Sequence, residues 1–359
     1  MQSLHSMSLE ELAQLLSEEG EKSFRAKQIF HWLYERKVCD WERMTDLNKD
    51  LRARLSNQLS LSSLSQKQLQ ESKDEETTKF LWELSDGELV ESVLICSKDR
   101  RTVCVSSQVG CPARCAFCAS GQEGLLRNLS AAEIFEQVYQ IDRFLHLKGE
   151  RVSHVVFMGM GEPFENYDEV LKAIKLLNDP DRLNLSQRRI TVSTVGVIEG
   201  IRRFVKENLR VSLVLSLHAP NQHIRKKIIP YARKYPLEEI ISAMVAFAKE
   251  SKRDITYEYT LIEGINDQPE HAHELAVLLK GQPCTVNLIP YNPVPGLRLR
   301  RPEKEAIEEF RHILASYEIV ATWRYTKGKD IAAACGQLAL QKKLQVLAEP
   351  AVPLAIVSS

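Results

Sequence analysis

The sequence predicts an α/β fold: a partial, TIM-like (β/α)6 barrel preceded by an N-terminal helical accessory domain and a β-hairpin extension. Three observations predict it. From residue 102 onward, short β-branched runs alternate with amphipathic stretches of helical period. Before about residue 70 the pattern is helical and Leu-rich. Between these regions Asp86-Gly87 separates two runs of strand character, a hairpin signal. The expected spans are 1–72 for the accessory domain, 73–96 for the hairpin, 97–340 for the core and 341–359 for a tail.

In the first span, Phe24 to Tyr34 places Ile29, Phe30 and Leu33 on one helical face. Ser62 to Ser72 is rich in Ser, Gln and Lys and reads as a linker. Lys79 to Leu84 and Glu88 to Ile95 form the hairpin arms. Core strands are expected at 102–107, 153–158, 190–194, 211–217, 255–262, 285–290 and 318–324. Helices are expected at 130–146, 167–178, 197–207, 237–250, 270–280 and 303–316, the first opened by the capping box Ser130 to Glu133. Parallel strands joined by helical crossovers argue a barrel, and six units rather than eight leave one side open for a bulky substrate. The tail after Gln345 reads as loosely held.

Lys plus Arg equal Asp plus Glu at 48 each, so any basic surface must be local. No leader-like apolar stretch opens the chain, and no window has the eighteen or so apolar residues of a membrane span. The eight cysteines, Cys39, Cys96, Cys104, Cys111, Cys115, Cys118, Cys284 and Cys335, are too unevenly spaced for a secreted disulfide framework. A cytoplasmic protein without membrane contact is expected.

Three of those cysteines form Cys111-Pro112-Ala113-Arg114-Cys115-Ala116-Phe117-Cys118. This CxxxCxxC spacing offers three thiolates. A 4Fe-4S cube held by three cysteines keeps one iron open for a non-protein ligand, whereas zinc ribbons and ferredoxin runs close their sites with a fourth. The pattern resembles radical S-adenosylmethionine (SAM) enzymes, with SAM on the open iron. A structural zinc site or incidental buried thiols is the plainer alternative. Context favours the radical reading. The cysteines follow the first expected strand and precede the first expected helix, where a barrel mouth carries its loops. One unit later, Met158-Gly159-Met160-Gly161-Glu162-Pro163 follows an apolar strand, its glycines permitting close ligand approach and its carboxylate suiting an ammonium.

Two further thiols stand apart: Cys104 on the first core strand and Cys335 in Ala333-Ala334-Cys335-Gly336. Taken alone, each reads as an ordinary strand or loop cysteine. Together with Cys104 to Cys111, Met158 to Pro163, Ser193-Thr194-Val195-Gly196 and Ser216-Leu217-His218, they make the chain resemble the RlmN/Cfr family of radical SAM RNA adenine methyltransferases from the N-terminal helices to about residue 340.

That resemblance implies a mechanism with two SAM molecules per turnover. Adenine carbon 2 or 8 is not nucleophilic, so a thiolate, by position Cys335, first accepts a methyl group. A 5'-deoxyadenosyl radical then takes a hydrogen from methylated Cys335, and the carbon radical adds to the base. Cys104 resolves the adduct through a transient Cys104–Cys335 disulfide. Glu91, on the hairpin, is implied as the base that removes the ring proton. Gly161, Glu162, Ser193, Ser216, Leu217, His218 and Asn292 are implied SAM contacts.

Carbon 2 of an adenine in 23S rRNA and of the adenine beside the tRNA anticodon is the favoured target, on the long N-terminal region and the abundance of the housekeeping form. Carbon 8, the resistance-conferring reaction, is the alternative. An electron carrier or zinc-binding RNA module is a reading of another class, and so is a radical enzyme for a small molecule, which would leave Cys104 and Cys335 without a role. A flavodoxin-type electron donor and a monomeric state are also expected. Candidate RNA contacts are the clusters Arg182, Arg188 and Arg189; Arg202 and Arg203; Arg225, Lys226, Lys227, Arg233 and Lys234; Arg298, Arg300 and Arg301; and, beside Cys335, Lys327 and Lys329.

Overall fold

The computed structural model of the protein describes residues 1–122, 124–323 and 327–338. The expected tail at 341–359 lies outside them, as do residue 324 of the last expected strand and residues 339–340 of the core.

The chain opens with β1 (Gln2–Ser3), α1 (Leu9–Glu18), α2 (Phe24–Phe30), α3 (Lys49–Gln58) and β2 (Leu59–Ser60), which pairs in parallel with β1. A capping box between Ser8 and Glu11 starts α1, and the Asn48 side chain caps α3. Ile29, Phe30 and Leu33 are buried together, as the periodicity predicts.

Next come β3 (Leu64–Glu71), β4 (Thr77–Leu84), β5 (Leu89–Ser97), β6 (Arg100–Cys104), β7 (Gln108–Gly110) and β8 (Leu125–Asn128). The barrel units follow: α4 (Ala131–His146), β9 (His154–Phe157), α5 (Tyr167–Asn178), β10 (Ile190–Thr194), α6 (Ile198–Lys206), β11 (Ser212–Ser216), α7 (Gln222–Ile228), α8 (Leu237–Ser251), β12 (Ile255–Leu261), α9 (Pro269–Leu279), β13 (Cys284–Pro290), α10 (Lys304–Ser316) and β14 (Val320–Trp323). A single ten-stranded sheet runs in the order β14-β13-β12-β11-β10-β9-β6-β5-β4-β3. In it, β6 and β9 to β14 are parallel neighbours and β3 to β6 pair antiparallel, while β7 and β8 form a separate antiparallel pair. Six strand–helix units and a closing strand thus form the α/β partial barrel that the alternation predicts.

The linker reading of Ser62 to Ser72 is corrected. Leu64–Glu71 is β3, an edge strand whose backbone pairs with β4. Its polar side chains are no obstacle, because strand formation depends on ladder pairing and context more than on composition. A bulge between Gln66 and Gln68 and the Lys67–Glu83 ion pair break up the exposed edge. The hairpin extension is therefore three-stranded, and the expected division at residue 72 falls in the β3–β4 turn.

The entry to β3 is pinned by α4. Buried Glu136 accepts hydrogen bonds from the backbone N–H groups of Ser63 at 2.8 Å and Leu64 at 3.3 Å. Tyr139 Oη donates to the Leu33 carbonyl at 2.7 Å, tying the accessory helices to the same face of the barrel.

Candidate active site

The CxxxCxxC loop follows β7, and β8 folds back beside it. Cys111 N–H donates to the Gly124 carbonyl at 3.0 Å. Gly110 has φ 78°, and a Cβ there would sit 1.9 Å from that carbonyl oxygen, so the hairpin closes only around glycine. Ala116 N–H reaches the Ile228 carbonyl at 2.8 Å, anchoring the loop on α7.

Cys111, Cys115 and Cys118 line one cavity of about 130 Å³. Burial pushes all three thiols up, Cys111 to about 12, and the neighbouring sulfurs add to the effect at Cys111 and Cys115. Among the described residues, no three His, Cys, Asp or Glu gather tightly enough to hold a single metal ion. A zinc ion needs its sulfurs about 2.3 Å away. Three soft donors standing around a shared void suit a cube that takes one thiolate per iron.

The opposite wall of this cavity starts at the β9 terminus. Gly161 has φ 110°, and an added Cβ would lie 2.7 Å from Ser107 Oγ. Glu162 follows, buried, with its carboxylate accepting from Val195 N–H at 2.8 Å and Phe164 N–H at 3.0 Å. Burial raises its carboxyl to about 7, against the pull of those hydrogen bonds. Ser193 Oγ and Ser216 Oγ meet at 3.0 Å across β10 and β11. His218, at φ 56°, accepts at Nδ1 from Thr260 N–H at 2.9 Å, which leaves its proton on Nε2. Burial lowers its pKa to about 3, and Arg225 reinforces the shift, so it acts as a neutral donor. Asn292 lines the same cavity and donates to the Cys335 carbonyl at 3.2 Å.

A second cavity of about 410 Å³ adjoins the first, sharing Cys118, Met158, Gly159, Ile289, Asn292, Cys335 and Gly336 with it. Cys104 and Cys335 both open onto it. Cys104 is buried on β6, and burial and the nearby Cys335 both push its thiol up. Cys335 is exposed on a loop clamped to the cysteine motif, since Ala119 N–H donates to the Gly336 carbonyl at 2.8 Å and Ser120 Oγ to the Leu338 carbonyl at 2.5 Å.

A family model described as the ribosomal RNA large subunit methyltransferase N-terminal domain matches residues 2–61, and the radical SAM superfamily model matches residues 105–276. A Protochlamydia amoebophila protein named probable dual-specificity RNA methyltransferase RlmN 2 is 64% identical over 93% of this chain and 93% of its own. A Symbiobacterium thermophilum protein named probable dual-specificity RNA methyltransferase RlmN is 48% identical over 94% of this chain and 91% of its own. The crystal structure of a radical SAM methyltransferase from Sphaerobacter thermophilus is 44% identical, with a TM-score of 0.92 over 95% of this chain and 100% of that one. The chain belongs to the RlmN family of radical SAM methyltransferases.

Membership brings a 4Fe-4S cluster and SAM, and the three thiols and the wall facing them are the residues that fit these groups. Of the residues implied by the resemblance, the structure gathers Cys111, Cys115, Cys118, Gly161, Glu162, Ser193, Ser216, His218, Asn292 and Cys335 around the first cavity, and Cys104 around the second. Two stand elsewhere. Leu217 has its side chain in the core and its carbonyl bonded to Arg225 Nε at 3.1 Å. Glu91 is buried on β5, paired with Lys79, and lines neither cavity.

Sequence reasoning missed Ile289, Glu258 and Thr260 as lining residues. Strand alternation points to the latter two, since Glu258 pairs in register with Ser216 and Thr260 is next on that face of β12. Two expected RNA contacts are structural instead. Arg182 is sequestered by Asp179 and by the His5 and Met7 carbonyls, and Arg225 by the carbonyls of Val195, Ser216 and Leu217. Lys327 is engaged by Glu76 and the Cys96 carbonyl, whereas Lys329 is exposed. Among the described residues, no helix is long and apolar enough to cross a membrane.

Proposed function

We propose that this protein methylates carbon 2 of adenine in 23S rRNA and of the adenine beside the anticodon in tRNA, using two SAM molecules per turnover. The observation that carries the reading is that Cys104 and Cys335 open onto one cavity while the cysteine triad opens onto its neighbour, with Cys335 on both. A thiol pair next to a radical source is what adenine methylation through a protein-bound methyl requires. The relatives' names, dual-specificity RNA methyltransferase, support the same substrates.

Cys111, Cys115 and Cys118 hold the cluster. When bound, the cluster and SAM supply one-electron cleavage of SAM to a 5'-deoxyadenosyl radical. Gly161 and Glu162 take the amine end of SAM, and Ser193, Ser216, the His218 Nε2–H and Asn292 present hydrogen-bonding groups to the rest. Leu217 contributes only backbone. The Cys335 thiolate accepts the methyl group of a first SAM. After that carbon has joined the base as a radical, the adduct would return its unpaired electron to the cluster, and Glu91 takes the ring proton. The Cys104 thiolate attacks the Cys335 sulfur, the sulfur–carbon bonding pair goes to the methylene carbon, which takes up a proton to become the methyl group, and a Cys104–Cys335 disulfide remains to be reduced. The target base must leave its stack, at about a few kcal/mol. Lys329 and the exposed Lys226 and Lys227 offer phosphate contacts. The work takes place in the cytoplasm, by a monomer supplied by a flavodoxin-type donor.

The test is the mass of Cys335 peptides from anaerobically isolated wild type and Cys104→Ala. Methylated Cys335, with RNA covalently trapped on Cys104→Ala, is the expected result. Unmodified Cys335 and no trapped RNA overturn it. Chromatography of the product nucleoside separates 2-methyladenosine from 8-methyladenosine, and the latter would assign the carbon-8 reaction instead.

A further inference from the structure

Glu91 is almost fully buried, and so is Lys79, whose Nζ lies 3.0 Å from Glu91 Oε1. An isolated carboxylate in such surroundings would take up a proton rather than stay charged. An opposite charge at hydrogen-bond distance favours the ionised form there. The register places that partner beside the chemistry. Lys79 on β4 faces Val93 on β5, and Val93 faces Cys104 on β6, so these three share one row and one face of the sheet. Glu91 is the next residue of β5 on that face, opposite Leu81, toward the C-terminal end of the parallel strands. The Glu91 carbonyl accepts from Ser106 Oγ at 2.6 Å, which fixes the strand against the segment leading to the cysteine motif.

We propose that Lys79 is the positioning residue for the base Glu91: its buried ammonium keeps the carboxylate ionised and aims it along the row that carries Cys104. This rests on the reading of Glu91 as the proton acceptor. Once the radical adduct has given up its unpaired electron, which the cluster would take back, the proton passes from the ring carbon to a Glu91 oxygen and the C–H electron pair stays with the ring. Among the described residues, the other titratable groups facing the pair come from these and neighbouring strands and from the C-terminal loop. Cys104 lies two strands away in the Lys79 row. His154 lies one row below on β9, and Lys327 reaches β5 and the start of β4 from the C-terminal loop, already engaged by Glu76. Glu83 shares the Lys79 face of β4, next to Leu81, and is already paired with Lys67 at 2.7 Å. Cys104, His154 and Lys327 include no anion that could replace Glu91 as the partner of Lys79.

The experiment is a single-turnover measurement on cluster-loaded enzyme carrying methylated Cys335. Release of methylated 23S rRNA fragment is followed from pH 6 to 9 in wild type, Lys79→Met, Lys79→Arg and Glu91→Gln. Intact mass of Cys335 reports, before each run, that a variant is folded and loaded. Lys79→Met is expected to be at least tenfold slower at pH 7, with its acid limb displaced upward by at least one pH unit and its rate recovering toward wild type at pH 9. Lys79→Arg is expected to retain the wild-type limb. A uniform loss across pH in Lys79→Met, or an unmoved limb, overturns the proposal, since packing alone would act that way. Lys79→Gln, neutral but hydrogen-bonding, gives the same reading where the methionine variant does not fold. The two ideas fail separately. Wild-type release by Glu91→Gln removes the base itself, whereas a blocked Glu91→Gln beside a wild-type profile in Lys79→Met removes only the role of Lys79.

Discussion

The side-chain amide of Asn292 donates to the backbone carbonyl of Cys335 at 3.2 Å. One residue of the β13 loop therefore touches both cavities and holds the loop that presents the thiol. Removing that bond costs about 1 kcal/mol of positioning, or five- to tenfold. Asn292→Ala is expected to methylate Cys335 five- to tenfold more slowly, with the cluster's visible absorption unchanged. Timed peptide mass spectrometry checks the first quantity. Methylation at the wild-type rate would show that the loop is held elsewhere.

Gly161 combines a left-handed backbone with a close approach to Ser107 and Gln108. Gly161→Ala is expected to lose about 3 kcal/mol of stability, from backbone strain and overpacking together, and to lose SAM binding. Gly149→Ala is the control. Its φ is 73°, nothing lies within 4 Å of the added Cβ, and only the conformational cost of about 1–2 kcal/mol applies. Denaturant unfolding and calorimetric SAM titration of both variants test the difference.

The barrel could be read from the chain because its units obey local periods: β-branched runs, amphipathic helices, and a capping box at Ser130 that the structure reproduces. The cysteine motif could be read because its spacing is itself the signal. What could not be read depends on contacts distant in sequence. The edge strand β3 carries no apolar pattern and exists through pairing with β4. Helix α7 is only seven residues long, started by Asn221 and too short to show a period. The Lys79–Glu91 pair is a cross-strand meeting that neither residue announces. Gly161, Glu162, Ser193, Ser216 and His218 are gathered by strand ends, whereas Leu217, in the run Ser216-Leu217-His218, turns its side chain to the core and Glu91 lies outside both cavities.

Arg225, Lys226 and Lys227 read as one basic cluster, but the structure divides them. Arg225 is fully buried and bonds the Leu217, Val195 and Ser216 carbonyls at 3.1, 2.5 and 3.3 Å, while Lys226 and Lys227 are exposed. Arg225→Ala is expected to cost about 3 kcal/mol, roughly 1 kcal/mol for each carbonyl left without its donor. Lys226→Ala and Lys227→Ala are expected to leave stability unchanged, to weaken RNA binding and to reduce its salt dependence by about one unit of slope each. Unfolding curves and filter binding at several salt concentrations separate the two kinds of residue. An unchanged salt slope in both lysine variants would place the RNA on another face.

Glu162 ties the site to pH. Burial raises its carboxyl to about 7, so in the free protein it is half protonated near neutrality. A carboxyl raised above its unfolded value contributes stability that is present at low pH and declines as pH rises through the folded pKa. The ligand-free protein should thus lose stability from about pH 4.5 to 7. Binding of the SAM ammonium has the opposite sign, because it needs the ionised carboxylate: affinity is full above 7 and falls as pH drops through that value. Between pH 8 and pH 6 the ionised fraction falls by about tenfold for a group with this pKa, and SAM affinity should fall with it. Calorimetric titration of wild type and Glu162→Gln across that range is the check. The wild type should show the slope, and Glu162→Gln should bind more weakly at pH 8 with a flat profile. A flat wild-type profile would mean that the amine end of SAM is held by other groups and that Glu162 serves the turn through its bonds to Val195 and Phe164.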